Sequence, residues 1–214
     1  MYVFQKRKDI HRVKAGDYWC FECAQGYPST LLVDAAHAGH TMKVLDEKDV
    51  ALPTKFLNPM DAKKAKAQYF FAEETLEMLQ KNIKKLEYKN VICIGTPRLF
   101  EVVREDPNIS AVLLDLDTRF EHFFSSSEYF KYNMFNHFFF DLKGGQEKQF
   151  NSFVAGCKPE ETLLVVDPPF GGLVDVLQNT LSKIWKLFGV ESVATMLVCK
   201  LHHFDPGQGT INFH

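Results

Sequence analysis

The 214-residue sequence has no run approaching eighteen consecutive apolar residues, so no bilayer-spanning helix and no membrane partner are expected. Its start, Met1-Tyr-Val-Phe-Gln-Lys-Arg-Lys8, lacks the apolar core of a secretory signal. Neither charge sign dominates. The 25 Lys and Arg against 27 Asp and Glu exclude a basic nucleic-acid arm, an acidic tail and a disordered polar segment. Five cysteines, an odd number without a secretory signal, fit a reducing compartment better than a disulfide frame. There is no internal repeat, no low-complexity tract and no Gly-x-Gly-x-x-Gly fingerprint. What remains is 46% hydrophobic and 14% aromatic, enough for one sizeable core. The expectation is an intracellular globular domain with a small appendage.

Charge and aromatics are unevenly placed. Residues 1–89 hold fifteen basic and twelve acidic side chains, and residues 90–214 hold ten and fifteen. Eight of the 20 phenylalanines (Phe120, Phe123, Phe124, Phe130, Phe135, Phe138, Phe139 and Phe140) share one stretch with Tyr129 and Tyr132. Such a stretch builds a core, or a wall on which a flat ring stacks.

Residues 1–45 show no long period, and 46–60, with Pro53 and Pro59, read as a linker or a loop packed over the domain. From about 72 the apolar spacing Leu76, Leu79, Ile83, Leu86 predicts a helix. Val91–Ile94 reads as a buried strand ending at Gly95-Thr-Pro97, followed by a short helix over about 98–105. Ala111–Leu114 reads as a second strand, ending in Asp115-Leu-Asp117, and Phe135–Phe140 as a third. Gly144-Gly145 marks a turn before a helix at 146–155. Thr162–Val166 is the clearest strand and stops at Asp167-Pro-Pro-Phe170. A helical pattern from Leu173 to Leu187 and a last apolar run, Val193–Val198, follow. The alternation calls for an α/β fold with a parallel sheet between helices.

In such a sheet ligands bind beyond the carboxyl ends of the strands. Gly95 would let a ligand approach the backbone, although glycine after a strand also serves plain turn geometry. Asp115 and Asp117 are each a ribose-binding carboxylate or a helix cap, and Asp115, nearer the strand, is preferred for ribose. Asp167-Pro168-Pro169-Phe170 carries most weight. Two prolines remove two N–H donors and fix the backbone, leaving acceptors beside an aromatic ring. That combination suits a flat base with an exocyclic amine.

Cys20-x2-Cys23 and His37-x2-His40 supply four soft or borderline metal ligands in a short span, the His spacing of two being shorter than the three to five of the common zinc finger. A coincidental pairing or a redox dithiol is the alternative, the latter without its usual strand–helix context. Cys93, Cys157 and Cys199 are isolated and read as core or surface residues.

Asp-Pro-Pro-Phe after an apolar strand resembles the motif of S-adenosylmethionine-dependent amino-group methyltransferases, especially those acting on adenine N6. A closer resemblance covers about 19–188. Cys20-Phe-Glu-Cys23, His37-Ala-Gly-His40, Ala67-Gln-Tyr-Phe-Phe-Ala72, Ile94-Gly-Thr-Pro-Arg-Leu99, Leu113-Leu-Asp-Leu-Asp117, Tyr132-Asn-Met-Phe-Asn-His137 and Val166-Asp-Pro-Pro-Phe-Gly-Gly-Leu-Val174 occur in that order. Together they look like the zinc finger CCHC domain-containing protein 4 family, large-subunit ribosomal RNA N6-adenosine methyltransferases.

The resemblance implies a Rossmann-like methyltransferase sheet, incomplete at the C-terminus, with a small zinc module in front. The implied domains are a zinc-finger-like module at 1–45, a linker and cofactor-covering segment at 46–71, and a methyltransferase domain at 72–214. Gln68, Tyr69, Phe70 and Phe71 match the segment covering S-adenosylmethionine. Arg98 matches the partner of the methionine carboxylate, Asp115 the ribose ligand, and Asn133 and Met134 the loop beside the cofactor's adenine. Asp167, Pro168, Pro169 and Phe170 match the residues that hold the target adenine, and Cys20, Cys23, His37 and His40 match zinc ligands. The implied partner is ribosomal RNA and the implied location nucleus and nucleolus, with cytoplasm as a further compartment. Oligomeric state is left open.

The match fades after about Phe188, and Leu201–His214 resembles nothing in the family. The expectation is therefore a chain truncated at both ends or mis-spliced. A catalytically inactive, zinc-containing RNA- or protein-binding fragment is the alternative reading. A third keeps the chemistry but changes the acceptor to glutamine, lysine or DNA adenine.

Overall fold

A computed structural model describes residues 10–30, 37–60, 68, 70–141, 145–169 and 174–198. Tyr69, Gly144, Phe170, Gly171, Gly172, Cys199 and the segment 201–214 lie outside the described residues. The chain divides into two units: residues 1–58 with 117–129, and residues 59–116 with 130–214.

The first unit is built on a three-stranded antiparallel sheet. β1 (Tyr18–Cys20) lies between β2 (Gln25–Tyr27) and β3 (Met42–Val44). Sequence patterning does not reveal these strands, because three residues are too few to display a period. Trp19 is buried, with Phe123, His122 and Phe56 around it at ring-centroid distances of 5.2, 5.6 and 6.1 Å. Opposite Trp19 in the register is Gly26, where an added Cβ would fall 2.1 Å from Val13 Cγ1. Only glycine fits there.

Asp17 is fully buried and accepts from Ser29 N (2.9 Å), His11 Nε2 (2.9 Å) and Lys14 N (3.0 Å). Burial works against its charge, but these three partners outweigh it and hold the carboxyl below its ordinary value. Residues 46–60, expected as a linker or loop, instead carry α1 (Glu47–Ala51) and a 3-10 turn at Pro53–Lys55. The reason is a reciprocal capping box: Asp49 N donates to Asp46 Oδ1 at 2.8 Å, and Asp46 N to Asp49 Oδ2 at 3.1 Å.

The second unit is a six-stranded sheet in the order β7-β6-β5-β4-β8-β9. Its strands are β4 (Asn90–Ile94), β5 (Ser110–Asp115), β6 (Tyr129–Asn133), β7 (Phe138–Phe139), β8 (Thr162–Val166) and β9 (Ala194–Leu197). β4 runs parallel to β5 and β8, and β8 to β9; β7 is antiparallel to β6. The mixed α/β architecture with a mostly parallel sheet is the one expected. The helices are α2 (Glu73–Lys85), α3 (Pro97–Val103), α4 (Gly145–Ala155) and α5 (Val174–Leu187).

On one face Ile92, Ile94, Val112, Leu114, Leu164 and Val166 join Phe150, Val154, Leu177 and Ile184 in the core. On the other, α3 packs against β4 and β5, and α2 against α3. Among the described residues no helix is long and apolar enough to cross a membrane.

The third strand is a correction. It is Tyr129–Asn133, and only Phe138–Phe139 of the expected Phe135–Phe140 is strand. Asn133 Oδ1 accepts from Phe135 N at 2.9 Å, a local turn that competes with the ladder, and His137 sits at φ 54. Leu86 also departs from its helical pattern: it is 58% exposed at the C-cap of α2.

That helix closes with Tyr88 N donating to Ile83 O at 3.2 Å and Glu87 N to Lys84 O at 3.1 Å, which puts Glu87 at φ 58. Glycine carries no Cβ penalty in that conformation. Glu87→Gly should therefore raise stability by about 0.5–1 kcal/mol, read as a higher urea midpoint at unchanged slope.

Candidate functional site

Among the described residues, two clusters of chemistry-bearing residues occur, one in each unit. In the first unit, one ligand atom each from Cys20, Cys23, His37 and His40 lies within 4.8 Å of every other. His40 Nδ1 is 3.4 Å from Cys20 Sγ and 3.5 Å from Cys23 Sγ. A tetrahedral ion with Zn–S of about 2.3 Å and Zn–N of about 2.0–2.1 Å sets sulfur and nitrogen about 3.5 Å apart. Both sulfur–nitrogen distances match that separation.

Cys20 leaves β1 as the strand turns, and Cys23 N donates back to its sulfur at 3.4 Å, which favours a thiolate. Burial nevertheless pushes the Cys20 thiol up. Without a cation that thiol keeps its proton, and a bound cation displaces it.

Glu22, which sequence reasoning passed over, accepts from Thr41 N at 2.9 Å and lies 3.7 Å from Cys20 Sγ. The Thr41 N–H holds its carboxyl below the ordinary range. An acid between the two cysteines was the available signal. The isolated cysteines behave differently: burial pushes Cys93 up to about 12 and Cys157 up to about 11, so both are inert thiols at neutral pH.

In the second unit the strand order reverses between β4 and β8, the position at which open α/β sheets bind their ligands. Gly95 ends β4 with φ 68, and an added Cβ would lie 2.8 Å from Asp167 O and 2.8 Å from Met134 Cε. Three expected site elements (the glycine turn, the Asn133–Met134 loop and the Asp-Pro-Pro corner) thus converge on one point. Asp167 N donates to Ile94 O at 3.0 Å, continuing the ladder one residue past β8. This backbone bond fixes the start of the corner, and Pro168 and Pro169 carry it on without a donor.

Asp115 ends β5, the strand beside β4, and is buried; Asp117 is paired with Arg119 (2.7 Å) and caps a 3-10 turn.

Arg98, at the start of α3, donates through Nη1 to Phe71 O and through Nη2 to Glu73 Oε2 at 2.8 Å. It ties the 70–73 segment to the strand end, a partnership with Glu73 that sequence reasoning missed. Arg98 Nε is buried with no hydrogen-bond partner among the described residues. Gln68 Oε1 accepts from Met60 N at 3.1 Å, and Phe70 is half-buried. Tyr69 and Phe170 lie outside the described residues.

Beneath the Met134 loop, Tyr132 Oη and His137 Nδ1 are 2.8 Å apart. Burial pushes the phenol up and the imidazole down, with Lys183 adding to the latter, so both are neutral at pH 7. This pair supports the loop and offers it no charge.

Comparison with known proteins agrees with this geometry. A family model described as probable N6-adenine methyltransferase matches residues 62–205. The chain is 37% identical over 180 residues to rRNA N(6)-adenosine-methyltransferase ZCCHC4 of Bos taurus, covering 78% of this chain and 34% of that protein. With the Xenopus tropicalis protein of the same name, identity is 35% over 195 residues, 83% of this chain and 38% of the relative. For the Homo sapiens protein it is 39% over 143 residues, 63% and 28%. The chain therefore spans about a third of the length of the curated relatives it matches.

The Cys/His cluster should take up one divalent ion per chain. Cobalt(II) titration is expected to give tetrahedral and thiolate charge-transfer absorption, and Cys20→Ser to abolish it. Because thiols and imidazoles must lose protons to bind, affinity should fall as pH is lowered.

Proposed function

The chain belongs to the N6-adenine methyltransferase family, and we propose that it transfers a methyl group from S-adenosylmethionine to N6 of an adenosine in large-subunit ribosomal RNA. The observation that carries this reading is the convergence of Gly95, Met134 and Asp167 where the strand order reverses. The residues present fit the cofactor on one count: Arg98 Nε is a buried donor without a hydrogen-bond partner among the described residues. Gly95 lets the ends of β4 and β8 close up, since a Cβ there would lie 2.8 Å from Asp167 O and from Met134 Cε. Arg98 would meet the methionine carboxylate and Asp115 the ribose, with Phe70, Phe71 and Gln68 in the covering segment and Asn133 and Met134 beside the adenine.

S-adenosylmethionine, when bound, supplies a methyl group made electrophilic by its sulfonium. The chain's own part is to hold and orient the amine. At the corner Asp167 offers a carboxylate and a carbonyl, and the two prolines offer no N–H. Acceptors without donors select an amine and turn its lone pair away from them, toward the methyl. Catalysis of this kind rests on positioning and fixed dipoles, with no covalent enzyme intermediate. Phe170 would stack on the base. The curated relatives are named for rRNA, which supports RNA as the substrate, and a ribosomal RNA target would place the chain in the nucleolus.

The four Cys and His residues would hold zinc, to which two thiolates and two imidazoles are well matched. Such an ion stabilises a small sheet directly.

Calorimetry with S-adenosylmethionine should show one site per folded chain. A folded chain giving no heat returns the protein to a non-catalytic, zinc-bearing role. Asp167→Ala should lower methyl transfer to adenosine-containing RNA by at least about 10²-fold, measured by mass spectrometry of digested nucleosides, with the fold intact. Gly95→Ala should cost about 1–3 kcal/mol of stability by urea denaturation, since it strains a positive φ and presses on the Asp167 carbonyl. It should weaken cofactor binding in parallel.

A further inference from the structure

The aromatic stretch is only partly used by the core. Phe139 turns inward, 5% exposed, with Tyr132 at 4.8 Å and Phe150 at 5.4 Å between ring centroids. Its neighbours Phe138 and Phe140 point the other way and are 48% and 36% exposed. Alternation along a strand explains the opposite facing, but packing does not require that either outer residue be aromatic. The two rings meet at 5.0 Å with planes at 85°, so an edge and a face are offered together. Lys131, on the partner strand β6, holds its Nζ 5.1 Å from the centroid of Phe140.

From these residues we propose that the β6–β7 hairpin is a docking surface for single-stranded RNA flanking the target adenosine. Phe138 and Phe140 stack unpaired bases and Lys131 meets a phosphate. The inference rests on the methyltransferase reading for the identity of the target, and three observations carry it. Exposed rings with an ammonium among them complement a ligand of flat faces and negative charge. Phe138 is the register partner of Asn133, and Asn133 precedes Met134, which reaches the Gly95–Asp167 corner. The surface thus begins at the end of the sheet where an adenine would enter, and the cost of bringing an adenine into such a corner is least when it already stands in an unpaired stretch. The third observation concerns the backbone. β7 is two residues long, and Asp141 N turns back to donate to Phe139 O at 2.8 Å. An edge this short is a poor template for strand pairing with a second copy, so the side chains are what this face presents.

The test uses the full chain and a fluorescent, short single-stranded RNA with one adenosine in a uridine tract, read by anisotropy without cofactor. Phe138→Leu with Phe140→Leu keeps the apolar volume and removes the rings; Phe138→Trp with Phe140→Trp keeps them. The leucine pair should bind the RNA about tenfold or more weakly, and the tryptophan pair at least as well as the parent. In turnover the leucine pair should raise KM for RNA and leave the affinity for S-adenosylmethionine unchanged. Equal RNA binding by the parent and the leucine pair overturns the proposal. So does a parent chain that dimerises and is made monomeric by the leucine pair, which would identify the face as an interface between copies. Because the anisotropy needs no cofactor, a chain that fails to bind S-adenosylmethionine but loses RNA with its rings would refute the methyltransferase reading and leave this surface standing.

Discussion

The parallel pairing of β4 with β8 is the constraint on which the candidate methyl-transfer site depends. Ile94 and Val166 are register partners, and the next residue, Asp167, still donates to Ile94 O at 3.0 Å. On the other side of β4, Gly95 N donates to Leu114 O at 3.0 Å. These two bonds bring the ends of β5, β4 and β8 to one level. The closeness leaves no space for a side chain on residue 95, and the chain turns there through a positive φ that glycine adopts without penalty. Because the backbone of Asp167 is held by the sheet itself, its carbonyl is fixed before any ligand arrives. Preorganised dipoles of this kind avoid the reorganisation that water would require.

Much of this second unit is legible in the chain. Thr162–Val166 and Val91–Ile94 are apolar, β-branched and bounded by Gly or Pro, and both are strands. The spacing of Leu76, Leu79 and Ile83 marks the buried side of α2. Local pattern could not say which strands are neighbours, since pairing β4 with β8 joins residues about seventy positions apart. The Phe135–Phe140 expectation failed for a different reason. Aromatic density is a property of composition, whereas the end of β6 is decided by one hydrogen bond from Phe135 N to the Asn133 side chain.

In the first unit the legible and illegible parts are reversed. The four candidate metal ligands stand out as two close pairs, and they do come together. The sheet that carries them does not stand out, because its strands owe their stability to contacts distant in sequence: Trp19 with Phe56 and Phe123, Gly26 with Val13, and the buried Asp17 with His11 and Ser29. A carboxylate inside a small sheet is tolerated only because three donors surround it. With no cation the buried thiol of Cys20 would remain protonated beside an imidazole. A cation converts that group from a burial cost into a cross-link between β1 and the His37–His40 segment.

The chemistry of the Asp-Pro-Pro corner also bears on what it rejects. A hydrogen-bonding site discriminates most strongly against a ligand that leaves its buried partners unmatched. A base with a carbonyl in place of an amine would set oxygen against the Asp167 carbonyl and carboxylate, and neither proline has an N–H to relieve the repulsion. In the proposed reading the selection of adenine over a 6-oxo purine therefore needs no additional residue. It follows from a backbone that has lost its donors at two successive positions, held where the strand order of the sheet reverses.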